Sequence, residues 1–176
     1  MRLENIEGLS FNFPDAISAF KFDETDSSKA TFHGAPMKAV DAVVELKEVY
    51  LFIEIKKYDD PADFDIKTFI DQNDFEQKMK HFSWLKKYLK YKYRDTFLYR
   101  FAEDKIDKPI HYLCILNFEN ALNNAMQKFL KQELPVGKPS KRWKKKIAED
   151  CHVLSIERWN EVFPNWTINK YSGSTK

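Results

Sequence analysis

MKAVDAVVEL (residues 37–46) and EVYLFIEIKKY (residues 48–58) decide the fold. Both stretches are rich in β-branched and aromatic residues, which predicts two strands. Only Lys47 and its neighbours separate them, so a tight antiparallel hairpin is the natural connection. Charged residues interrupt both runs: Asp41 in the first, and Glu54 with Lys56 in the second. Ionised groups near a core are costly unless they are paired or coordinate a metal. Such departures from local propensity concentrate at functional sites. Side chains two apart on a strand share a face, so Glu54 and Lys56 point the same way, with Ile53 and Ile55 opposite. A reversal with an even number of residues, such as Leu46–Lys47, makes opposed positions sum to 93. Asp41 then faces Phe52 and lies diagonal to Glu54 on the same side, at about 7–8 Å between backbones. A reversal with an odd number of residues would put it on the wrong face.

Working outward, Pro14–Phe22 has the spacing of a short helix, and DETDSSKATFHGAP (23–36) reads as a loop with Ala30–His33 as a candidate edge strand. After the hairpin, a proline and four aspartates break the pattern. From Phe64 to Ala102 the apolar residues keep to one helical stripe, with a break expected at Asp71–Asp74. Pro109–Asn117 predicts a third strand, Phe118–Glu133 a helix, Cys151–Ile156 a fourth strand, Glu157–Phe163 a short helix and Trp166–Tyr171 an edge strand. This order predicts an α/β fold with a mixed sheet flanked by helices. At 176 residues the chain fits a single domain, with a core at about 14–117 and a C-terminal αβ extension carrying a basic loop at 134–146.

Two carboxylates converging from neighbouring strands can hold one hard divalent cation, because Mg²⁺ takes a few carboxylates plus water and phosphate oxygens. Such an ion lowers the pKa of a bound water and neutralises charge on a phosphodiester. Lys56 would sit beside it, where it could orient the water or stabilise the phosphate. The backbone carbonyl of Ile55 is a further candidate ligand.

Asp41 on one strand followed by Glu54-Ile55-Lys56 on the next resembles the E-x-K site of the PD-(D/E)XK nuclease superfamily, the restriction-endonuclease-like fold. That family has the order αβββαβ. The resemblance covers Met37 to Lys56 directly and the element order from about Pro14 to Asn117 more loosely. It implies that Asp41 and Glu54 bind Mg²⁺ or Mn²⁺, that Lys56 is the catalytic lysine, and that the substrate is nucleic acid, with DNA the first expectation. Val40 stands where many members have proline, Ala30–His33 is the candidate for the family's first strand, and no Q-x-x-x-Y helix motif is present. A glutamate from the family's first helix sometimes completes the site, and Glu24 is the nearest candidate. Many such nucleases cut duplexes as dimers, which leaves a homodimer open. The alternatives are a nuclease-like fold without catalysis, serving as a nucleic-acid or protein interaction module, and an unrelated α/β domain with a solvated charged hairpin.

The balance of 29 basic and 27 acidic residues, net +2, excludes nucleic-acid binding through bulk charge, so any polyanion contact must come from local patches. Lys86, Lys90 and Arg94 recur every four residues as a basic stripe, and Lys141, Arg142, Lys144 and Lys145 lie in the densest cluster, at Lys138–Lys146. Both are candidate phosphate contacts. Four glycines in the whole chain argue against phosphate-binding glycine loops and dinucleotide fingerprints. Cys114 and Cys151 sit in apolar runs and read as buried free thiols of a reducing compartment. With no signal-peptide pattern and no membrane-length apolar run, a cytoplasmic protein without membrane contact is expected. The four histidines share no spacing, and His111 and His152, which begin expected strands, read as structural.

Overall fold

A computed structural model describes residues 1–57, 72–137 and 140–173, and along 72–79 only the course of the backbone. Among these residues the chain is a mixed α/β protein with two sheets and three helices. The elements are β1 (Arg2–Ile6), β2 (Leu9–Asn12), β3 (Ser18–Lys21), β4 (Ala42–Glu45), β5 (Tyr50–Lys56), α1 (Gln72–Ala102), β6 (Ile110–Leu116), α2 (Asn120–Glu133), β7 (Asp150–Leu154), α3 (Ile156–Val162) and β8 (Thr167–Lys170).

The larger sheet has the order β3-β4-β5-β6-β7. Its first three strands form an antiparallel meander, and β6 and β7 add in parallel. Parallel neighbours need long crossovers, and α1 and α2 lie within those two connections. β5 is central, and all of it except Lys56 is buried. That accounts for its nearly continuous apolar run, the mark of a strand covered on both faces.

The two sheet faces carry separate cores. Val43, Tyr50, Phe52, Tyr112 and Cys114 pack with Phe82, Leu85, Leu89 and Tyr93 of α1 and Met126 and Leu130 of α2. Ala42, Val44, Leu51, Ile53, Ile55 and Leu113 pack with Leu9, Phe11, Ile168 and Trp159. The second sheet, β1-β2-β8, and α3 supply that other cover. On α1 the buried positions Leu85, Leu89, Lys92, Tyr93, Thr96 and Arg100 fall three or four apart, so they form one stripe facing the sheet. Cys114 and Cys151 are buried and free, as their apolar surroundings predict. Among the described residues no helix is long and apolar enough to cross a membrane.

Two expectations need correction, and one feature is not foreseen by any expectation. Pro14–Phe22 is not a helix: Ser18–Lys21 is β3, paired antiparallel with β4 through Ser18↔Glu45 to Lys21↔Ala42. Its apolar residues satisfy either period over so short a span, and pairing decides. Ala30–His33 is not a strand of the sheet, and contributes only the isolated bridge Glu24↔Phe32. The N-terminal segment forms two strands that the sequence does not signal, because Asn5, Glu7 and Gly8 with positive φ turn the chain where no clear hairpin dipeptide marks it. Residues 64–71 of the expected helical stretch, including the start of the expected break, lie outside the described residues.

Candidate functional site

β4 and β5 are joined by a four-residue reversal, and their register is Ala42↔Ile53, Val43↔Phe52, Val44↔Leu51 and Glu45↔Tyr50. Phe52 therefore faces Val43 rather than Asp41. Asp41 immediately precedes β4, and continuing the same register by one step sets it against Glu54. The shift from the expected register is two residues, which preserves the face. Val43 and Phe52 belong to the core beneath α1, so Asp41 and Glu54 point at that helix.

Asp41 is held from several sides. Its Oδ2 accepts a hydrogen bond from the Ile55 N–H at 2.6 Å. Its carbonyl accepts from the Phe22 N–H at 2.9 Å. The chain entering β4 is tied to α1, where Asp95 accepts from the Lys38 N–H and Thr96 Oγ1 from the Val40 N–H, each at 2.9 Å. Asp41 is 4% exposed and Glu54 1%, so both carboxylates sit essentially out of water.

Lys92 of α1 descends onto them, itself only 7% exposed. Its Nζ lies 3.3 Å from Glu54 Oε2 and 3.7 Å from Asp41 Oδ1. Glu54 Oε2 is nevertheless buried without a hydrogen-bond partner: Lys92 is at ion-pair distance without the directed geometry of a hydrogen bond. Asp23 completes the cluster: its charge acts on Asp41 and Glu54, and its Oδ1 is buried and unpartnered. Asp23 also lines an open cleft of about 530 Å³ with Phe32, His33, Pro36 and Met37, so the cluster meets solvent on that side.

The electrostatics follow from burying more acid than base. Burial pushes the Asp41 carboxyl up to about 7, against the opposing pull of Lys92 and the Ile55 N–H, and with Asp23 and Glu7 adding to the rise. Burial and then the Asp41 charge raise Glu54 well above the usual carboxylate range. Asp23 is raised too, again chiefly by burial. Burial works against the Lys92 ammonium, but Glu54 and Asp41 outweigh it and lift Lys92 above its ordinary value. One ammonium does not neutralise three carboxyls. Lys21 also acts on Asp23, and burial favours the protonated form of each carboxyl.

Lys56 ends β5 on the same face as Glu54 and is half-buried. Its Nζ lies 5.9 Å from the centre of the Tyr88 ring, and those of Lys92 and Lys38 lie 5.3 and 4.5 Å from it. Tyr88 thus stands among three ammonium groups, one helical turn before Lys92. Ile55 turns its side chain to the opposite core. Its demonstrated link to the site is the N–H that holds Asp41.

Other expected residues lie elsewhere. Glu24 is engaged by Lys29 at 2.6 Å and by the Asp26 N–H, and its neighbour Asp23 reaches Asp41 instead. Lys86, Lys90 and Arg94 turn toward α2. Lys86 Nζ lies 5.0 Å from the Phe129 ring, Lys90 pairs with Glu133 at 2.8 Å, and Arg94 donates to the Glu133 carbonyl at 3.4 Å. Lys141, Arg142, Lys144 and Lys145 are exposed. Lys145 lines a hollow with Phe97, Pro109 and Ile110, where β6 begins. Ile110 pairs with Tyr50, four residues before Glu54, or about 13 Å at roughly 3.3 Å per residue. The basic loop and the carboxylates therefore lie toward opposite ends of β5.

The donor set can be tested against the implied Mg²⁺ or Mn²⁺. Among the described residues no three His, Cys, Asp or Glu side chains converge as a metal-holding group. Two hard carboxylates do face each other, one with an orphaned buried oxygen, and this fits a divalent ion that keeps several water or phosphate ligands. No protein-family model matches the chain, and neither the curated proteins nor the solved structures contain a match.

Proposed function

We propose that the chain is a divalent-metal-dependent nuclease, hydrolysing phosphodiester bonds of nucleic acid, with DNA the expected target and a restriction-endonuclease-like fold around the site. The observation that carries this reading is the Asp41–Glu54 pair, opposed on adjacent strands, buried, and short of positive charge. The antiparallel meander β3-β4-β5, followed by α1 and the parallel strand β6, supports the fold, since βββαβ is the part of the family order that follows its first helix. The two buried thiols fit the reducing cytoplasm.

Asp41 and Glu54 would hold the ion, and the Ile55 N–H would keep the Asp41 carboxylate in place. When bound, a divalent ion supplies Lewis acidity and a water of lowered pKa. Lys56, at the end of the strand beside Glu54, would pair with a non-bridging phosphate oxygen or orient the attacking water through its ammonium. Asp23, on the cleft side, would accept a proton from water entering there. The test is cleavage of single- and double-stranded DNA and RNA with Mg²⁺, Mn²⁺ or EDTA. Divalent-dependent cleavage that disappears in Asp41→Asn and in Lys56→Ala supports the proposal. Its absence with every substrate, in folded protein that binds no Mn²⁺, overturns it.

One observation favours a second reading. The Lys92 ammonium already stands by both carboxylates, as a permanent counter-ion would in a nuclease-like fold without catalysis. Such a module would bind nucleic acid or protein without cleavage, unaffected by EDTA or by Asp41→Asn.

A further inference from the structure

Among the described residues, Lys92 is the one side chain that pairs with both carboxylates. Its seat is loose for so buried an ion pair: 3.3 and 3.7 Å, with Glu54 Oε2 left without a hydrogen bond. A second seat is already in partial contact with it, on a ring that Lys38 and Lys56 also approach. The Tyr88 ring centre is 5.3 Å from Nζ, and helical side chains lean toward the N-terminus, which from Lys92 is the direction of Tyr88. An aromatic face stabilises an ammonium that has left its carboxylate.

Resting on the metal-dependent reading above, we propose that Lys92 is a resident counter-ion competing with the divalent ion for Asp41 and Glu54. Metal entry displaces its ammonium toward Tyr88. A divalent ion bound at about 2.0–2.1 Å from these carboxylate oxygens would otherwise sit within a few ångströms of Nζ, where like charges repel strongly in a water-poor site. Lys92 therefore keeps the carboxylates paired before metal arrives and weakens metal binding. It is a positioning residue, acting on the site through Asp41 and Glu54.

Two measurements test this without reference to cleavage. Calorimetric titration with Mn²⁺ compares wild type with Lys92→Gln, and the variant is expected to bind at least tenfold more tightly. Equal or weaker binding by the variant overturns the proposal. Because Lys92→Gln leaves buried carboxylates unpaired and can fail to fold, the second measurement uses the wild-type protein. Reductive methylation, read residue by residue by mass spectrometry, should find Lys92 protected in EDTA and labelled several-fold faster in saturating Mg²⁺. Continued protection of Lys92 while Mn²⁺ binds overturns the displacement. Binding by Lys92→Gln alone supports the competition in its extreme form. If Mn²⁺ binds neither protein, the metal-dependent reading falls together with the inference.

Discussion

Replacing Asp41 by asparagine should remove a pH-dependent loss of stability from the metal-free protein. The new side chain can still accept the Ile55 N–H through its amide oxygen, so the substitution takes away mainly the ionisable group. The Asp41 carboxyl moves from 3.8 to about 7 on folding, chiefly because it is buried. The folded state then holds a proton that the unfolded state releases. Stability is full below the unfolded pKa, falls as pH rises from about 4 to 7, and is lost above the folded pKa. At about 1.4 kcal/mol per unit, the shift amounts to about 4 kcal/mol, and Glu54, displaced in the same direction, steepens the wild-type fall. The assay is urea unfolding in EDTA at steps from pH 4 to pH 8. The stability of Asp41→Asn minus that of wild type should grow by several kcal/mol across the range. Mg²⁺ should restore wild-type stability at pH 7.5 but not raise that of the variant, because an ion that binds only the folded state stabilises by mass action. A difference between the two proteins that stays flat with pH would refute the account.

Lys56→Ala should abolish cleavage while unfolding in urea within about 0.5 kcal/mol of wild type, as expected for a half-buried strand-end residue. Thr96→Val keeps the shape of α1 but strips the Val40 N–H of its partner. It should cost about 1–3 kcal/mol and weaken Mn²⁺ binding in calorimetry, because the chain entering Asp41 loses a tether. Phe52→Ala, beneath Tyr93 in the α1-side core, should cost about 3–5 kcal/mol in thermal or urea unfolding. Replacing Lys141, Arg142, Lys144 and Lys145 together by Ala should flatten the salt dependence of nucleic-acid binding by about 0.9 for each phosphate that the loop no longer neutralises. Measured as affinity against log salt, an unchanged slope would exclude the loop from the interface.

The fold is legible where burial and period agree. β5 announces itself because a central strand is apolar on both faces, and β6, α2, β7, α3 and β8 each fall within three residues of their expected bounds. The failures share a cause. Ser18–Lys21 reads as part of a helix because four half-buried residues satisfy either period, and what makes it a strand is the row of hydrogen-bonding groups on β4, 24 residues downstream. β1 and β2 go unmarked for a similar reason. β2 pairs with β8 from the far end of the chain, which leaves no local mark, and β1 joins β2 through a turn without a hairpin dipeptide.

The site is legible through one rule, and the rule reaches beyond the hairpin. Asp41 and Glu54 stand out as charges inside apolar strands, and the hairpin brings them together whether the register sums to 93 or, as found, two residues higher, because either value preserves the face. Lys92 goes unmarked among the basic residues of α1, although the same rule applies to it. Leu85, Leu89, Tyr93 and Thr96 mark the inward stripe of α1, and Lys92 lies within it, three residues from Leu89 and four from Thr96. Lys86, Lys90 and Arg94 form the more regular series, yet they turn toward α2 and direct their charge to Glu133 and the Phe129 ring. Regular spacing of like charges marks a solvated or helix-facing edge. A charge that falls on an inward, mostly apolar stripe, as Lys92 and Arg100 do, marks a buried partner. Applied to α1 as to the β4–β5 hairpin, that criterion picks out the ammonium that lies 3.3 Å from Glu54 and 3.7 Å from Asp41, two carboxylates whose charge it only partly offsets.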